Sequence, residues 1–316
     1  MAGQQWAVSA DGGYLANPKL SREIRVNAQP IMVARQFVRP DSAIGKNKGD
    51  TFDFDRISNV STGGAALLES QTIPETKVTI SKAQLTVTEY GNSVPFTGKL
   101  ESLSEFSPSN IVTQALKNDM AKTLDTAAMA QFQAAKIKYT PTGTSGSPTG
   151  TFDTGGTVAT AATRQVAVFD VEEVRDYLKS TVHAPLYDGQ NFMGIASTGF
   201  LRGVQRDRTE FQTAAQYGDP ERLFASEVGR IRNVRFVEET HVLANVLGTT
   251  SYKGEAVVFG EDPVVEGVAI AEEIRAKIPG DYGRDKGVAW YFLGGWKQVW
   301  DTANDGEARI IHITST

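Results

Sequence analysis

The chain has 316 residues, of which 40% are hydrophobic, so it can bury a large core in one or two domains. It contains no cysteine, which excludes disulfides, thiolate nucleophiles and cysteine metal ligands. Its net charge of −5 is unlike that of proteins that hold nucleic acid by neutralising phosphates. No apolar run approaches the roughly 20 residues that cross a bilayer, and residues 1–13 lack the features of a secretory signal, so we expect no membrane contact.

The N-terminal region predicts an extended arm, because glycine and proline interrupt a weak periodicity, with one short helical turn near residues 21–26. Residues 17–48 carry seven basic and two acidic side chains, a net charge of +5 that leaves −10 for the remainder. This basic segment is either a solvated surface or an arm that docks on an acidic neighbour.

A long β-arm follows. Residues 51–57 alternate, with Phe52 and Phe54 on one face and acidic residues on the other, which predicts a half-buried strand. Residues 77–90 alternate again, but their apolar phase reverses near Lys82, which predicts a β-bulge there. Such an arm cannot bury its own apolar residues, so we expect it to need other copies of the chain.

A long helix is predicted next, with Ser107 as its N-cap and Pro108 at its first position. Apolar residues recur every four positions as far as Phe132, and we expect the helix to continue to Lys138, about 45 Å from its start. It would form the spine of the fold. Residues 140–163 are rich in glycine, threonine and serine and predict an exposed loop.

The second half of the chain predicts mixed α/β structure with no regular strand–helix alternation. An amphipathic helix is expected from Asp170 to His183, with Asp170 and Glu173 at capping-box spacing. Residues 287–300 and 308–313 flank an Asn-Asp-Gly turn, a pattern that predicts a closing antiparallel hairpin.

Motifs that would carry chemistry are missing from the sequence. His183, His241 and His312 lie far apart, and the chain has no nucleophile elbow, dinucleotide-binding motif or Walker A loop. Asp301 and the turn after it fall on calcium-loop positions, but residues without oxygen ligands occupy two of the other positions. We therefore expect no catalytic residue, no metal and no cofactor, and hence no enzyme.

The order of these parts resembles the major capsid proteins of tailed bacteriophages, the Hong Kong 97-type fold. The resemblance covers nearly the whole chain and rests on layout and segment texture, since that family has no catalytic signature. The stretches that carry it are GDTFDFDRISNVSTGG at 49–64, ETKVTISKAQLTVTEYGNSVPFTGKL at 75–100, DMAKTLDTAAMAQF at 119–132 and RIRNVRFVEE at 230–239.

The resemblance implies an α+β fold with five parts along the chain. These are an N-terminal arm (1–50), an extended β-hairpin loop with its adjoining strands (51–100), the spine helix and flexible loop of a peripheral domain (101–163), an α/β axial domain (164–279) and C-terminal strands of the peripheral domain (280–316).

The function implied by the resemblance is assembly. Hexamers and pentamers of the chain would form the icosahedral head shell around packaged double-stranded DNA, without sequence-specific DNA binding. A portal protein would be a partner and a decoration protein an optional one, and the early start of the arm implies a separate scaffold protein. The chain would be assembled in the host bacterial cytoplasm and would end up in the virion.

Candidate interface residues follow from their places in the arm and the extended loop. They are Arg22, Arg25, Arg35, Glu69, Gln71, Lys77 and Lys82. Some relatives cross-link a loop lysine to a neighbour's asparagine; Lys77 and Lys82 match that lysine by location alone, without a shared motif.

Two alternatives stay open at this stage. An encapsulin-like bacterial nanocompartment shares the fold but encloses a cargo enzyme, and its contents and neighbouring genes would distinguish it from a phage head. A soluble α/β enzyme with an unfamiliar site would instead be a monomer with one deep polar pocket.

Overall fold

Two sheets and one long helix organise the chain. The computed structural model describes residues 28–41, 49–58, 60, 64, 66–206, 231–247, 252–303 and 307–314. The helical turn predicted at 21–26 and the Asn-Asp-Gly turn at 304–306 lie outside these residues. Within them, no helix is long and apolar enough to span a bilayer.

The elements are as follows, in chain order. The strands are β1 (Arg39–Asp41), β2 (Thr51–Ile57), β3 (Ile80–Thr86), β4 (Thr88–Thr97), β5 (Ile137–Thr144), β6 (Ser147–Asp153), β7 (Phe192–Ser197), β8 (Val234–Glu239), β9 (Asn245–Leu247), β10 (Tyr252–Gly254), β11 (Ala256–Phe259), β12 (Val265–Ala276), β13 (Asp285–Lys297) and β14 (Ile310–Ile313). The helices are α1 (Gly98–Leu103), α2 (Pro108–Gln133), α3 (Val168–Asp176) and α4 (Thr198–Gln205), with 3₁₀ turns at Ala34–Phe37 and Asp281–Gly283 and a π turn at Tyr177–Thr181.

The long helix α2 packs on a four-stranded sheet of order β1-β12-β13-β4. Alternate residues of β13 face the helix, and Trp290 and Phe292 are buried against Leu116, Leu124 and Phe132. Each fully buried side chain of this kind contributes about 1.5–3 kcal/mol. The predicted spine helix is thus confirmed, and it begins at the predicted proline.

The end of α2 was predicted wrongly. The helix ends at Gln133, five residues before Lys138, and Ile137 already pairs with Ile311 of β14. Pairing with a distant strand overrides the local helical pattern. The Lys138 side chain folds back and donates a hydrogen bond to the carbonyl of Gln133 at the negative end of the helix dipole.

The predicted loop at 140–163 is mostly a hairpin. Strands β5 and β6 pair antiparallel across residues 138–153, and Pro141 lies opposite Gly150 inside the ladder. Tyr139 is fully buried, and a Cβ atom at position 150 would lie only 2.1 Å from its hydroxyl oxygen, so glycine is required there. The glycine that suggested a loop instead makes room for a core tyrosine.

The six-stranded sheet has the order β6-β5-β14-β11-β7-β8. It corrects the predicted C-terminal hairpin, because β13 belongs to the four-stranded sheet whereas β14 lies between β5 and β11. Ile311 and Ile313 are fully buried in this second core. The two final strands therefore fill two different cores instead of pairing with each other.

The helix predicted from Asp170 begins two residues earlier, at Val168. Asp170 is its third residue, and its carboxylate accepts a hydrogen bond from the N–H of Ala167, which is the N-cap. The predicted inward face is confirmed: the buried residues are Val171, Val174, Leu178 and Val182.

The β-arm is a two-stranded antiparallel sheet of β2 and β3, and its predicted half-buried strand is confirmed. The predicted bulge near Lys82 is wrong, because the register runs unbroken from Thr51 opposite Thr86 to Ile57 opposite Ile80. The apolar phase reverses because the two isoleucines lie on the outer, exposed face of the arm.

Candidate subunit interface

The root of the β-arm is fixed on its own subunit. Leu85 of β3 is fully buried, and β3 crosses β13 so closely that a Cβ atom on Gly295 would lie 2.4 Å from the carbonyl oxygen of Thr86. Only glycine permits that crossing. The root of the arm therefore has one position relative to the sheet.

A buried arginine adds a polar lock to this root. The guanidinium of Arg56 donates to the carbonyl oxygen of Val299 at 2.9 Å and to the hydroxyl of Ser81 at 3.2 Å, and it forms an ion pair with Asp301. Arg56 is only 8% exposed, so these contacts satisfy a charge that burial would otherwise penalise. Asp301, whose sequence position matches one in a calcium loop, instead forms the ion pair with Arg56.

The far end of the arm has the opposite character. Its large apolar side chains are 43–75% exposed. They are Ile57, Val60, Leu67, Leu68, Ile73, Val78 and Ile80; we call them the apolar arm end. Large apolar side chains exposed along one projecting segment indicate an interaction surface.

The predicted interface residues of the arm lie on or beside this end. Glu69 is in an exposed turn, in which the N–H of Gln71 donates to the carbonyl of Leu68 at 2.9 Å. Lys77 is exposed, and Lys82 lies 3.6 Å from the carboxylate of Asp53 on the paired strand.

Arg35 is not brought together with the arm. Its guanidinium lies 2.8 Å from the carboxylate of Glu266, forms an ion pair with Glu272 and lies over the ring of Phe292. Burial would lower the pKa of Arg35, but hydrogen bonds and the charges of the two glutamates raise it. Burial raises the pKa of Glu266, and Arg35 offsets part of that rise. Arg35 thus docks on acidic residues of its own chain, whereas Arg22 and Arg25 lie outside the described residues.

The rest of segment 28–41 is also tied to its own subunit. Ile31 exchanges hydrogen bonds with Thr240 at 2.9 and 3.1 Å, and the N–H of Arg39 donates to the carbonyl of Val264 at 2.9 Å. Strand β1 then pairs in parallel with β12. The backbone N–H of Arg35 donates to the buried carboxylate of Asp125 on α2 at 3.4 Å.

A second exposed apolar cluster was missed by sequence reasoning. It lies where β12 turns into β13, beside α1, and consists of Leu103 (73% exposed), Ile278 (89%) and Tyr282 (106%); we call it the apolar tip. Asp281 and Tyr282 both have positive φ angles, 47° and 53°, which non-glycine residues rarely adopt. The turn residues around Gly280 were the signal that could have indicated an exposed aromatic side chain.

Two buried polar clusters were also missed. Asp170 accepts hydrogen bonds from the hydroxyl of Tyr139 at 2.6 Å and from the guanidinium of Arg164, which locks the β5–β6 hairpin to α3. In the other, His312 lies 2.9 Å from the ammonium of Lys138 and 3.6 Å from Glu255. Burial lowers the pKa of Lys138. Both clusters join secondary-structure elements of the core.

No group of histidine and acidic side chains suited to a metal ion occurs in the described part of the chain.

The candidate site is an arm with a locked root and an exposed apolar end. The sequence model of the phage capsid family matches residues 12–193, more than half of the chain.

The chain belongs to the phage capsid family. Solved structures similar to this capsid protein include the capsid of Ralstonia phage GP4, with a TM-score of 0.65, 15% identity and 98% of both chains covered. The head structure of Helicobacter pylori bacteriophage KHP40 gives a TM-score of 0.72 at 10% identity, with 95% of both chains covered. The mature capsid of bacteriophage PhiM1 gives 0.63 at 14%, covering 99% of this chain and 96% of that chain.

At these identities the structural similarity establishes the fold, and the predicted Hong Kong 97-type α+β architecture is confirmed. A comparison with curated protein sequences gave no match. Family and fold together make the chain a major capsid shell protein: a structural, oligomeric component of the virion. The nanocompartment alternative is not favoured by these matches.

Proposed function

We propose that this capsid protein assembles as hexamers and pentamers into an icosahedral head shell around packaged double-stranded DNA. One observation carries the proposal: the arm is locked at its root by Leu85 and Arg56, yet its apolar end is exposed. A rigid projection with an apolar end is suited to bind a neighbouring subunit. The shell is a structural assembly and we propose no enzymatic activity for it.

The edges of the arm support the same reading. In the described structure β2 and β3 pair only with each other, so each has a further edge with unpaired backbone groups. A neighbour's strand can add to such an edge, and covering it prevents unspecific aggregation. For an obligate shell we expect a total buried area above about 2,000 Å² per subunit.

Six of the seven candidate interface residues keep this role as part of the proposal. We propose that Glu69, Gln71, Lys77 and Lys82 contact a neighbouring copy through the arm. Arg35 supports the shell indirectly, by fixing segment 28–41 on its own subunit through Glu266 and Glu272, as described above. We assign Arg22 and Arg25 to the same N-terminal arm and its contacts.

We retain the five-part division along the chain as a proposal. The sheets interleave these parts: β12, from the proposed axial range 164–279, pairs with β13, and β14 pairs with β5 and β11. We place α2 and β13 in the peripheral domain. We place β7, β8 and β11 in the axial domain.

We propose a separate scaffold protein and a portal protein as partners during assembly in the host bacterial cytoplasm, with a decoration protein as an optional partner. DNA would be enclosed without sequence-specific binding. The charge of −10 outside residues 17–48 fits a wall that does not hold its genome by neutralising phosphates.

Electron microscopy with sedimentation of the purified chain, alone and with its candidate scaffold protein, tests the proposal. We expect closed polyhedral shells or rings of five and six copies. A monomer that persists with the scaffold protein present would overturn the proposed function.

The role of the arm is tested by deleting residues 60–76. We expect subunits that melt normally but form no shells, because the neighbour loses its contact. Val158→Ser is the matched control, since it removes one exposed apolar side chain from another region. Normal shells from the deletion variant would refute the role of the arm.

A further inference from the structure

His312 lies at a buried junction between the long helix and the six-stranded sheet. It is a residue of β14 and is only 7% exposed. Helix α2 ends at Gln133, and β5 begins at Ile137, so that Lys138 lies directly opposite His312 in the parallel ladder. The helix packs in one core, whereas Ile137 and Ile311 belong to the other. The junction therefore connects the two cores of the subunit.

The contacts of His312 determine which ring nitrogen carries the proton. The ammonium of Lys138 donates to the carbonyl oxygen of Gln133 and lies 2.9 Å from Nδ1 of His312. Because an ammonium group can only donate, Nδ1 must accept, and the neutral ring carries its proton on Nε2. Nε2 lies 3.6 Å from the carboxylate of Glu255. The ring is therefore a neutral bridge between a buried cation and an acid.

Both charged neighbours of the ring keep their charge while histidines titrate. Burial would raise the pKa of Glu255, but its contact with His312 and the hydrogen bonds from the N–H of Ala244 and the amide of Gln133 lower it. Burial lowers the pKa of Lys138, and the charge of Glu255 opposes that change. Acidification therefore adds its proton to the ring, since the ammonium is already protonated.

The neighbouring strands add one further charged group near this pair. Asp153 of β6 lies opposite Lys138, and its carboxylate accepts a hydrogen bond from the N–H of Ala159 at 3.0 Å. On β11 the residue opposite His312 is Val257, which is apolar. Asp153 thus has a partner of its own, and the proton balance of the junction depends on the ring and its two charged neighbours.

Protonation of the ring forces it to exchange partners. A doubly protonated imidazole has two donors and no acceptor, so Nδ1 would face the ammonium of Lys138 donor to donor, with two positive charges 2.9 Å apart. On its other side, the charged ring is attracted to the carboxylate of Glu255, and the present separation of 3.6 Å leaves room to shorten this contact. Lys138 loses the ring and retains the carbonyl of Gln133.

We infer that His312 is an acid-sensitive link between helix α2 and the six-stranded sheet. When the ring gains its second proton, the contact between Lys138 and His312 opens and residues 134–138, which connect α2 to β5, loosen. The backbone pairing of β5 with β14 remains, because no ionisable group takes part in it. This is a property of the folded subunit, so it goes beyond the proposed assembly and does not depend on it.

NMR of the histidine rings in the ¹⁵N-labelled free subunit tests the proton positions. The chain has three histidines, so the variants His183→Gln and His241→Gln assign the three ring signals by elimination. At pH 8 we expect the ring of His312 to carry its proton on Nε2. A proton on Nδ1 at this pH would overturn the inference. So would a ring that is still neutral at pH 5, the lower end of the range in which histidine titrates.

Hydrogen exchange measures the loosening itself. Wild type is compared at pH 5 with His312→Gln, whose amide oxygen can still accept from Lys138 but gains no proton. We expect the amides of residues 134–138 to exchange about tenfold faster in wild type, the effect of losing one hydrogen bond to a charged group. Equal rates at pH 5 would overturn the inference, and so would an equally large difference at pH 8, which would assign the effect to packing.

Controls separate His312 from the other histidines. His183→Gln and His241→Gln should respond to acid as wild type does, and loss of the response in either would place the sensor elsewhere. Lys138→Met is the second variant: without the ammonium the ring gains its proton unopposed, so residues 134–138 should not loosen at pH 5. Loosening that persists in Lys138→Met would contradict the inference. Because all samples are free subunits, failure to form shells would leave these results unchanged.

Discussion

Two extensions leave the same helix-and-sheet body, and they are stabilised in opposite ways. Segment 28–41 is held by backbone pairing with β12 and by the ion pairs of Arg35 with Glu266 and Glu272. The β-arm is locked only at its root, and beyond Ile57 and Ile80 its apolar side chains point into solvent. An extension whose polar groups are paired inside its own subunit needs no neighbour. An extension with an exposed apolar end needs a neighbour to cover that end.

The contrast also exists within the arm itself. Leu85 and Ile80 lie five residues apart on β3, yet Leu85 is fully buried and Ile80 is 66% exposed. We expect Leu85→Ala to lower the free energy of unfolding of the isolated subunit by about 3 kcal/mol, because it opens a cavity at the root. Ile80→Ala should change it by less than about 0.5 kcal/mol.

Urea denaturation of both variants measures this difference. Shell yield should fall for Ile80→Ala although the subunit is as stable as wild type. Equal destabilisation by the two substitutions would mean that the arm end is packed in the free subunit. That result would contradict the difference in burial between Leu85 and Ile80.

Arg35→Ala tests the ion pairs that hold segment 28–41 on its own subunit. Without the guanidinium, Glu266, which is 6% exposed, would be buried beside Glu272 with no cation. We expect a loss of about 2 kcal/mol in unfolding free energy, less than for a fully buried pair because Arg35 is partly exposed. The control is Arg39→Ala, whose exposed ion pair with Asp262 at 3.7 Å should be worth less than about 0.5 kcal/mol. A smaller effect for Arg35 than for Arg39 would show that segment 28–41 is held by its backbone alone.

The carboxylate of Asp125, which accepts a hydrogen bond from segment 28–41, allows a pH-dependent test. Burial raises the pKa of Asp125, while hydrogen bonds from the N–H groups of Arg35 and Ala34 offset part of the rise. An acid with a raised folded pKa costs stability while it is charged, and that cost disappears as pH falls through the folded pKa to below the unfolded value of 3.8.

Asp125→Asn keeps an acceptor for those N–H groups and removes the buried charge. We expect the variant to be more stable than wild type at pH 7, with the difference vanishing as pH falls below the unfolded value of 3.8. Chemical denaturation across this range measures it. A variant that is less stable at pH 7 would show that the negative charge itself holds the segment.

The smallest effect is expected at Lys82, whose ammonium lies 3.6 and 3.9 Å from Asp53 and Asp55 on the exposed face of the arm. Lys82→Ala should change the unfolding free energy by less than about 0.5 kcal/mol, because exposed ion pairs contribute little. A loss of shells at unchanged subunit stability would identify Lys82 as an interface residue, whereas a loss of subunit stability would assign it to the arm's own fold.

Sequence periodicity predicted the parts of the fold whose pattern is local. The alternation of Phe52 and Phe54 and the four-residue spacing along α2 each follow from one element with one buried face. The exposed arm end could also be anticipated, because Ile57 and Ile80 fall on the polar face of their strands.

The wrong predictions concern elements whose pairing partners are distant in sequence. Strand β5 contains Pro141 and Gly143 and resembles a loop until β14, about 170 residues later, pairs with it. The strands β13 and β14 looked like a hairpin because nothing local shows that they enter different sheets. Gly280 marks a turn near Tyr282, but the exposure of Tyr282 results from the pairing of the two strands that flank this turn.

Hydrogen exchange on free subunits and on assembled shells tests the central claim most directly. The amides of segment 28–41 that bond to their own subunit, such as that of Arg39, should be equally protected in both states. Amides of residues 66–80 should exchange rapidly in the free subunit and slowly in the shell. Equal protection of residues 66–80 in both states would contradict the claim that the arm is completed by a neighbour.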